Sequence, residues 1–129
     1  MRLQGGEVAR THRLWLTSAT GKISGLDCRL AADGSIAGLA VERHFEITRL
    51  LRFSLPPVGS GTDDVKPSVT LDLGPILHGR LNLEGVAVLP DGCVVAVVDN
   101  PYRTITGPSE LLVFRPGGSE TATPRGLQR

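Results

Sequence analysis

The feature that most constrains this chain is that it repeats itself. Residues 23–56 align with residues 83–116, so that ISGLDCRLAADGSIAGLAVER lies over LEGVAVLPDGCVVAVVDN and RLLRFSLP over ELLVFRP. Gly25 falls on Gly85, Asp33-Gly34 on Asp91-Gly92 and Phe53 on Phe114, at an offset of about 60 residues that small insertions shift. Each copy runs in the same order: an apolar stretch, an Asp-Gly turn, a second apolar stretch, a polar loop, and a third strand ending in Phe. That order describes an antiparallel meander. Asp-Gly between apolar runs is a strong hairpin signal, and a type I′ turn is expected there because Gly accepts a positive φ without steric cost.

Composition agrees with short strands rather than long helices. Aromatic residues make up only 4% of the chain, the apolar content is carried by Leu, Val, Ile and Ala, and 16 Gly and 9 Pro supply many turns. Strands are predicted at 13–17, 23–30, 35–42, 47–55, 68–73, 83–89, 93–98 and 109–115. Residues 54–68 read as a loop from their Pro, Gly and Asp content, and 117–129 as a disordered tail. The organisation predicted is an N-terminal segment over 1–12, a repeat region over 13–116 and the tail. The fold class is all-β, with two blades of a β-propeller as its architecture.

Two blades cannot close a ring, since propellers ordinarily need about four to eight to cover their inner edges and faces. The chain is therefore expected to be a segment of a longer protein, a degenerate remnant, or one protomer of an assembly that completes the ring. Missing blades or self-association are its expected partners. The first copy is completed by 68–73 as outer strand, whereas the second lacks a fourth strand, and the leftover strand at 13–17 is assigned either to a preceding blade or to closure of the last one.

Fourteen basic and thirteen acidic residues leave a net charge of +1, too little for the sustained positive field that nucleic acid or an anionic membrane rewards. Neither partner is expected, and Arg2, Arg10, Arg13, Arg125 and Arg129 read as solvated termini. Residues 1–16 contain no apolar stretch of signal-peptide length, and no run approaches a membrane span. The compartment is left open. Cys28 and Cys93 lie in apolar runs without CxxC spacing or a nearby His, and read as two buried thiols.

The most informative stretch is Asn82-Leu83-Glu84-Gly85-Val86-Ala87, followed by the Asp91-Gly92 turn, a strand ending in Asp99-Asn100, and Leu111-Leu112-Val113-Phe114. This pattern resembles the C-terminal part of the phytase-like β-propeller family, often labelled as having an esterase-like activity of phytase. Upstream, Leu39-Ala40-Val41-Glu42-Arg43-His44-Phe45 resembles the family's L-V-L-E-R-x-F segment, so that the likeness covers about residues 35–116. The loop after Asn100 departs from the family's usual run. The resemblance implies hydrolysis of a small-molecule phosphoester or ester, calcium held by carboxylates, and frequent export.

If a site of that kind exists, Glu42, Glu84 and Asp99 are the metal-ligand candidates, because calcium takes six to eight oxygen ligands and these carboxylates lie at strand ends. Asn82 and Asn100 add neutral oxygens, and Arg43 and Arg103 are candidates to pair with phosphate oxygens. Each carboxylate has a structural alternative: Glu84 bonding backbone N–H groups of a neighbouring blade, Asp99-Asn100 shaping the turn into Pro101. Gly25, Gly85, Asp33, Gly34, Asp91, Gly92, Asn82 and Asn100 are assigned structural roles. No GxSxG elbow, phosphate loop or zinc-ligand spacing occurs, and no catalytic residue is identified. Three readings stay open: a hydrolase fragment, a non-catalytic interaction module or remnant, and a lactonase-like hydrolase fragment.

Overall fold

The computed structural model describes residues 10–44, 47–57, 63–77, 82–99, 109–115 and 125–126. These form an all-β structure with one helical turn, α1 (Gly74–Leu77). The first sheet has the order β2 (Lys22–Leu30), β3 (Ile36–His44), β4 (Ile47–Leu55), β6 (Ser68–Asp72), and the second β7 (Asn82–Val88), β8 (Val94–Asp99), β9 (Glu110–Phe114), β10 (Arg125–Gly126). Both are antiparallel throughout. A two-stranded parallel ribbon, β1 (Arg13–Leu14) with β5 (Asp64–Val65), makes a third, smaller layer.

Two of these strands depart from the sequence reading. Asp64–Val65 lies in the stretch read as a loop, and it is the partner of β1 rather than either sheet. The fourth strand of the second sheet comes from Arg125–Gly126, inside the stretch read as a disordered tail, paired with Val113 and Leu112. Neither dipeptide has a periodicity long enough to register as a strand in sequence; pairing to a neighbour defines them.

The first hairpin of each sheet is built on the same register. The rung Gly25–Val41–Leu50 corresponds to Gly85–Val97–Leu111, and Cys28–Gly38–Phe53 to Val88–Val94–Phe114. A β-bulge sits at the same place in each, between Ile23 and Gly25 and between Leu83 and Gly85. Beyond the Cys28 rung the first sheet continues through Arg29–Ala37 and Leu30–Ile36 before turning, whereas the second turns directly after Val88–Val94.

The turns themselves are alike, and they are not type I′. Gly34 N–H donates to Ala31 O and Ala31 N–H to Ser35 O; Gly92 N–H donates to Leu89 O and Leu89 N–H to Cys93 O. The central residues are thus Ala32-Asp33 and Pro90-Asp91, and a proline locked near φ −65° cannot enter a primed turn. Each is a three-residue loop in which Gly follows the turn as a left-handed bulge, with φ of 84° at Gly34 and 86° at Gly92. Asp33 and Asp91 each accept the N–H of the residue two further on at 2.9 Å, fixing the loop.

The layers stack. One face of the first sheet contributes Leu39, Val41 and Leu50, with Leu73, to a core shared with Leu83, Val94, Ala96, Val98, Leu112 and Phe114 of the second. Its other face, carrying Ala40, Leu51 and Phe53, packs against Val65 and Leu14 of the ribbon. Burying a Leu such as Leu50 or Leu83, both wholly enclosed, contributes about 1.5–3 kcal/mol each. The sheets touch most closely at the bulges, where a Cβ on Gly25 would stand 2.8 Å from the Gly85 Cα. Ser24 Oγ donates to Leu83 O at 2.6 Å, and the Val88 N–H donates to Asp27 Oδ2 at 2.6 Å. These bonds tie β2 to β7 along their length.

The two cysteines are free, and they differ from the expectation of two buried thiols: Cys93 is buried, its Sγ 3.2 Å from Asp91 Oδ2, but Cys28 is exposed on the first sheet's ribbon-side face. Arg10 and Arg13 are not merely solvated, for they pair with Asp63 and Asp64 at 3.3 Å each and pin the ribbon.

The tighter of the two bulge glycines is Gly25. A methyl there meets backbone, whereas a methyl at Gly85 meets Val97 Cγ1 at 3.0 Å, a side-chain atom that can shift. Gly25→Ala should therefore cost about 2–3 kcal/mol and Gly85→Ala about 1 kcal/mol, read from urea denaturation midpoints. Equal midpoints for the two variants would contradict the close approach.

Candidate functional site

At the end of the strands away from the turns, β3 finishes, β7 begins and β8 finishes, and this brings together most of the candidate residues. Glu42, Arg43, Asn82 and Glu84 all lie here, with Asp99 at the register position opposite Asn82. Arg103 and Asn100 lie outside the described residues.

Glu42 and Glu84 have different surroundings. Glu42 is fully buried, and its carboxylate is closed by four donors: Thr17 N–H at 3.1 Å and Thr17 Oγ1 at 2.5 Å on Oε2, Ser18 N–H at 3.0 Å and Ser18 Oγ at 2.5 Å on Oε1. Arg49 Nη1 donates to Thr17 Oγ1 at 3.0 Å from the neighbouring strand. Burial alone would raise the carboxyl's pKa, but the bonds from Ser18 and Thr17 outweigh it and hold the group below its ordinary value. The corresponding position in the second sheet is the buried Val98. The ribbon offers the first sheet little apolar surface, and the Glu42 latch fixes the segment that a larger apolar contact would otherwise hold.

Glu84 is the bulge residue of β7, and its Oε1 accepts from Arg43 Nη2 at 2.5 Å and from Asn82 Nδ2 at 2.6 Å. The ion pair crosses from one sheet to the other, with the two side chains 24% and 37% exposed. Arg43 Nε is buried with no hydrogen-bond partner among the described residues.

This arrangement does not suit calcium at Glu42 or Glu84. Hydroxyl and backbone N–H donors fill Glu42, a guanidinium and a side-chain amide N–H meet Oε1 of Glu84, and calcium requires oxygen lone pairs turned inward. Among the described residues no three His, Cys, Asp or Glu side chains come together as a metal-binding group. What the cluster does chemically is hold layers together. The Thr17-Ser18 grip on Glu42 was missing from the sequence reading; its only signal was a hydroxyl pair just before a strand, with no spacing to link it to residue 42.

Known protein families, curated proteins and solved structures were compared with this chain, and none matches it.

The Glu42 latch gives a pH dependence whose sign is fixed. The folded pKa lies below the ordinary 4.5, so the stabilisation is complete above about 4.5 and is lost as the pH falls through the depressed value. Glu42→Gln should cost about 2–3 kcal/mol near neutrality, since an amide N–H2 then faces donors, and should flatten the acid limb of the stability curve. Asp33 and Asp91, also lowered by bonds from Ser35 and Cys93, leave a residual slope in the same direction. Thermal melts across pH 3–7 check this; an unchanged acid limb in the variant would remove Glu42 from the account.

Proposed function

We propose that this chain is a two-blade β-propeller segment, related to the phytase-like propellers that residues 35–116 resemble, and that it acts as an interaction module taking up further blades. The observation that supports this most is one packing relation used twice. The ribbon stands to the first sheet as the first sheet stands to the second: Ala40, Leu51 and Phe53 meet the ribbon, and their counterparts Ala96, Leu112 and Phe114 meet the first sheet. A series of this kind has two open ends. On the second sheet's far side Leu111 is 42% exposed and Val95, Val97 and Val113 are half-buried, whereas the counterparts Leu39, Val41 and Leu50 are 4%, 0% and 0% exposed. At the other end Leu26, Leu30 and Val69 are 55%, 76% and 46% exposed beside the ribbon.

The chemistry of the far face favours a sheet as occupant. Asp27 and Arg52, which flank Leu39 on the first sheet, are replaced by Ala87 and Val113 around Val95. An apolar sheet face of this extent gains by covering itself with another. For the isolated chain, a second copy offering its Leu26–Leu30 side is the blade at hand, in a head-to-tail contact that either closes a ring or propagates.

Phosphoester or ester hydrolysis is the second reading, favoured by the partly exposed Arg43–Glu84 pair, whose Arg43 Nε has no hydrogen-bond partner among the described residues. No catalytic nucleophile is identified for it among the described residues, and it would depend on groups of other blades.

Leu111→Glu separates these ideas from a self-contained monomer. Light scattering across a concentration series should give a mass above one chain for the parent and one chain for the variant, both with the same β-sheet circular dichroism. A parent that stays at one chain at every concentration would contradict self-association.

A further inference from the structure

Between the two sheets, at their turn end, lies a cleft of about 180 Å³, lined by Asp27, Arg29, Leu39 and Arg52 from the first sheet and by Val88, Gly92 and Val94 from the second. Its origin is the unequal length of the hairpins. The first sheet runs two rungs further before turning, so its tip overhangs the point where the second sheet stops. It is at the opposite end of the strands from Arg43 and Glu84. A water's share of liquid is about 30 Å³, so the cleft has room for about six waters or one small solute.

Its polar groups are unevenly used. Arg29 Nη2 donates to the Val88 carbonyl, which holds the guanidinium in place while leaving its other N–H donors available. Arg52 shares a rung with Leu39 and Asp27 and has no hydrogen-bond or ion-pair partner among the described residues. Asp27 Oδ2 is committed to the Val88 N–H, which fixes the carboxylate's orientation in the wall. Among the described residues the cleft thus offers one anchored guanidinium, one unpaired guanidinium, an oriented carboxylate, and an apolar floor of Leu39 and Val94.

We infer that this cleft binds a small hydroxylated oxyanion, a carboxylate or a phosphate monoester, its charged oxygens taken by Arg29 and Arg52 and its hydroxyl donated to Asp27. Two guanidiniums against one carboxylate leave a net positive site, and planar N–H forks match such oxygens bidentately. Asp27 disfavours a bare, highly charged anion and favours one carrying a donor. The site stands apart from the propeller reading, since it needs only the two sheets and the overhang.

The test is amide chemical-shift titration of the full chain with glycolate and, separately, inorganic phosphate, each against sodium chloride at matched ionic strength. Saturable shifts at Gly38, Leu39 and Gly92 are expected, with either probe. A response to glycolate alone assigns a carboxylate ligand, and to phosphate alone a phosphate ligand. Arg52→Gln should weaken binding about tenfold or more without altering the fold, because the Arg52 guanidinium has no hydrogen bond or ion pair among the described residues to lose; Arg29→Gln should weaken it as well but also loosen the sheets. No saturable shift with either probe, or the same affinity in Arg52→Gln, would overturn the inference.

Discussion

The approach of Gly25 to Gly85 is the contact on which the rest of the structure depends. Two sheets can share a core only if their backbones come close enough for side chains on either side to interdigitate, and here the close approach is at the bulges, where the missing Cβ of Gly25 faces the Gly85 backbone. Around that point the interface is apolar in the middle, through Val41, Leu50, Leu83 and Val98, and polar at the rims. Ser24, Asp27 and Arg29 bond to β7 main chain on one side, and Arg43 pairs with Glu84 at the strand ends. The bulges do a second job: each places one extra residue, Ser24 or Glu84, where it can reach across rather than along its own sheet.

The carboxylates assume their meaning from this stacking. Glu42 occupies the position that Val98 fills in the second sheet, facing a layer too small to cover it with apolar surface. A buried carboxylate with four donors is specific in direction and costly to disturb, which suits the attachment of a short segment such as residues 15–18. Glu84 works differently, half-exposed and paired with a cation of the other sheet. Among the described residues both carboxylates make contacts between layers.

Much of the fold was legible in the sequence because it rests on local patterning. The apolar runs at Ile36–His44 and Val94–Asp99, the Asp-Gly turns and the matching Gly25 and Gly85 placed both hairpins. The turn type was not, since Asp-Gly alone does not reveal which residues are central; Pro90 carried the deciding information, as its φ excludes a primed turn. β5 and β10 were invisible because two-residue strands have no period. At the site, neither the nearness of Arg43 to Glu84 nor the partners of Glu42 follow from aligning the copies, because the first depends on how the sheets stack and a loop hydroxyl carries no signal of what it will bond. The cleft was hidden for another reason: it arises from a difference of two rungs between the hairpins, a length that in sequence reads as a small insertion.

The central claim is that the two sheets stack face to face with β2 against β7. A nuclear Overhauser measurement between the α protons of Gly25 and Gly85 tests it most directly, since these residues belong to different sheets and no strand pairing within either brings them together. A strong cross-peak is expected, comparable to those between α protons of paired strands inside each sheet. Intact cross-peaks within each sheet and none between the two glycines would show that the sheets form but do not stack in this way.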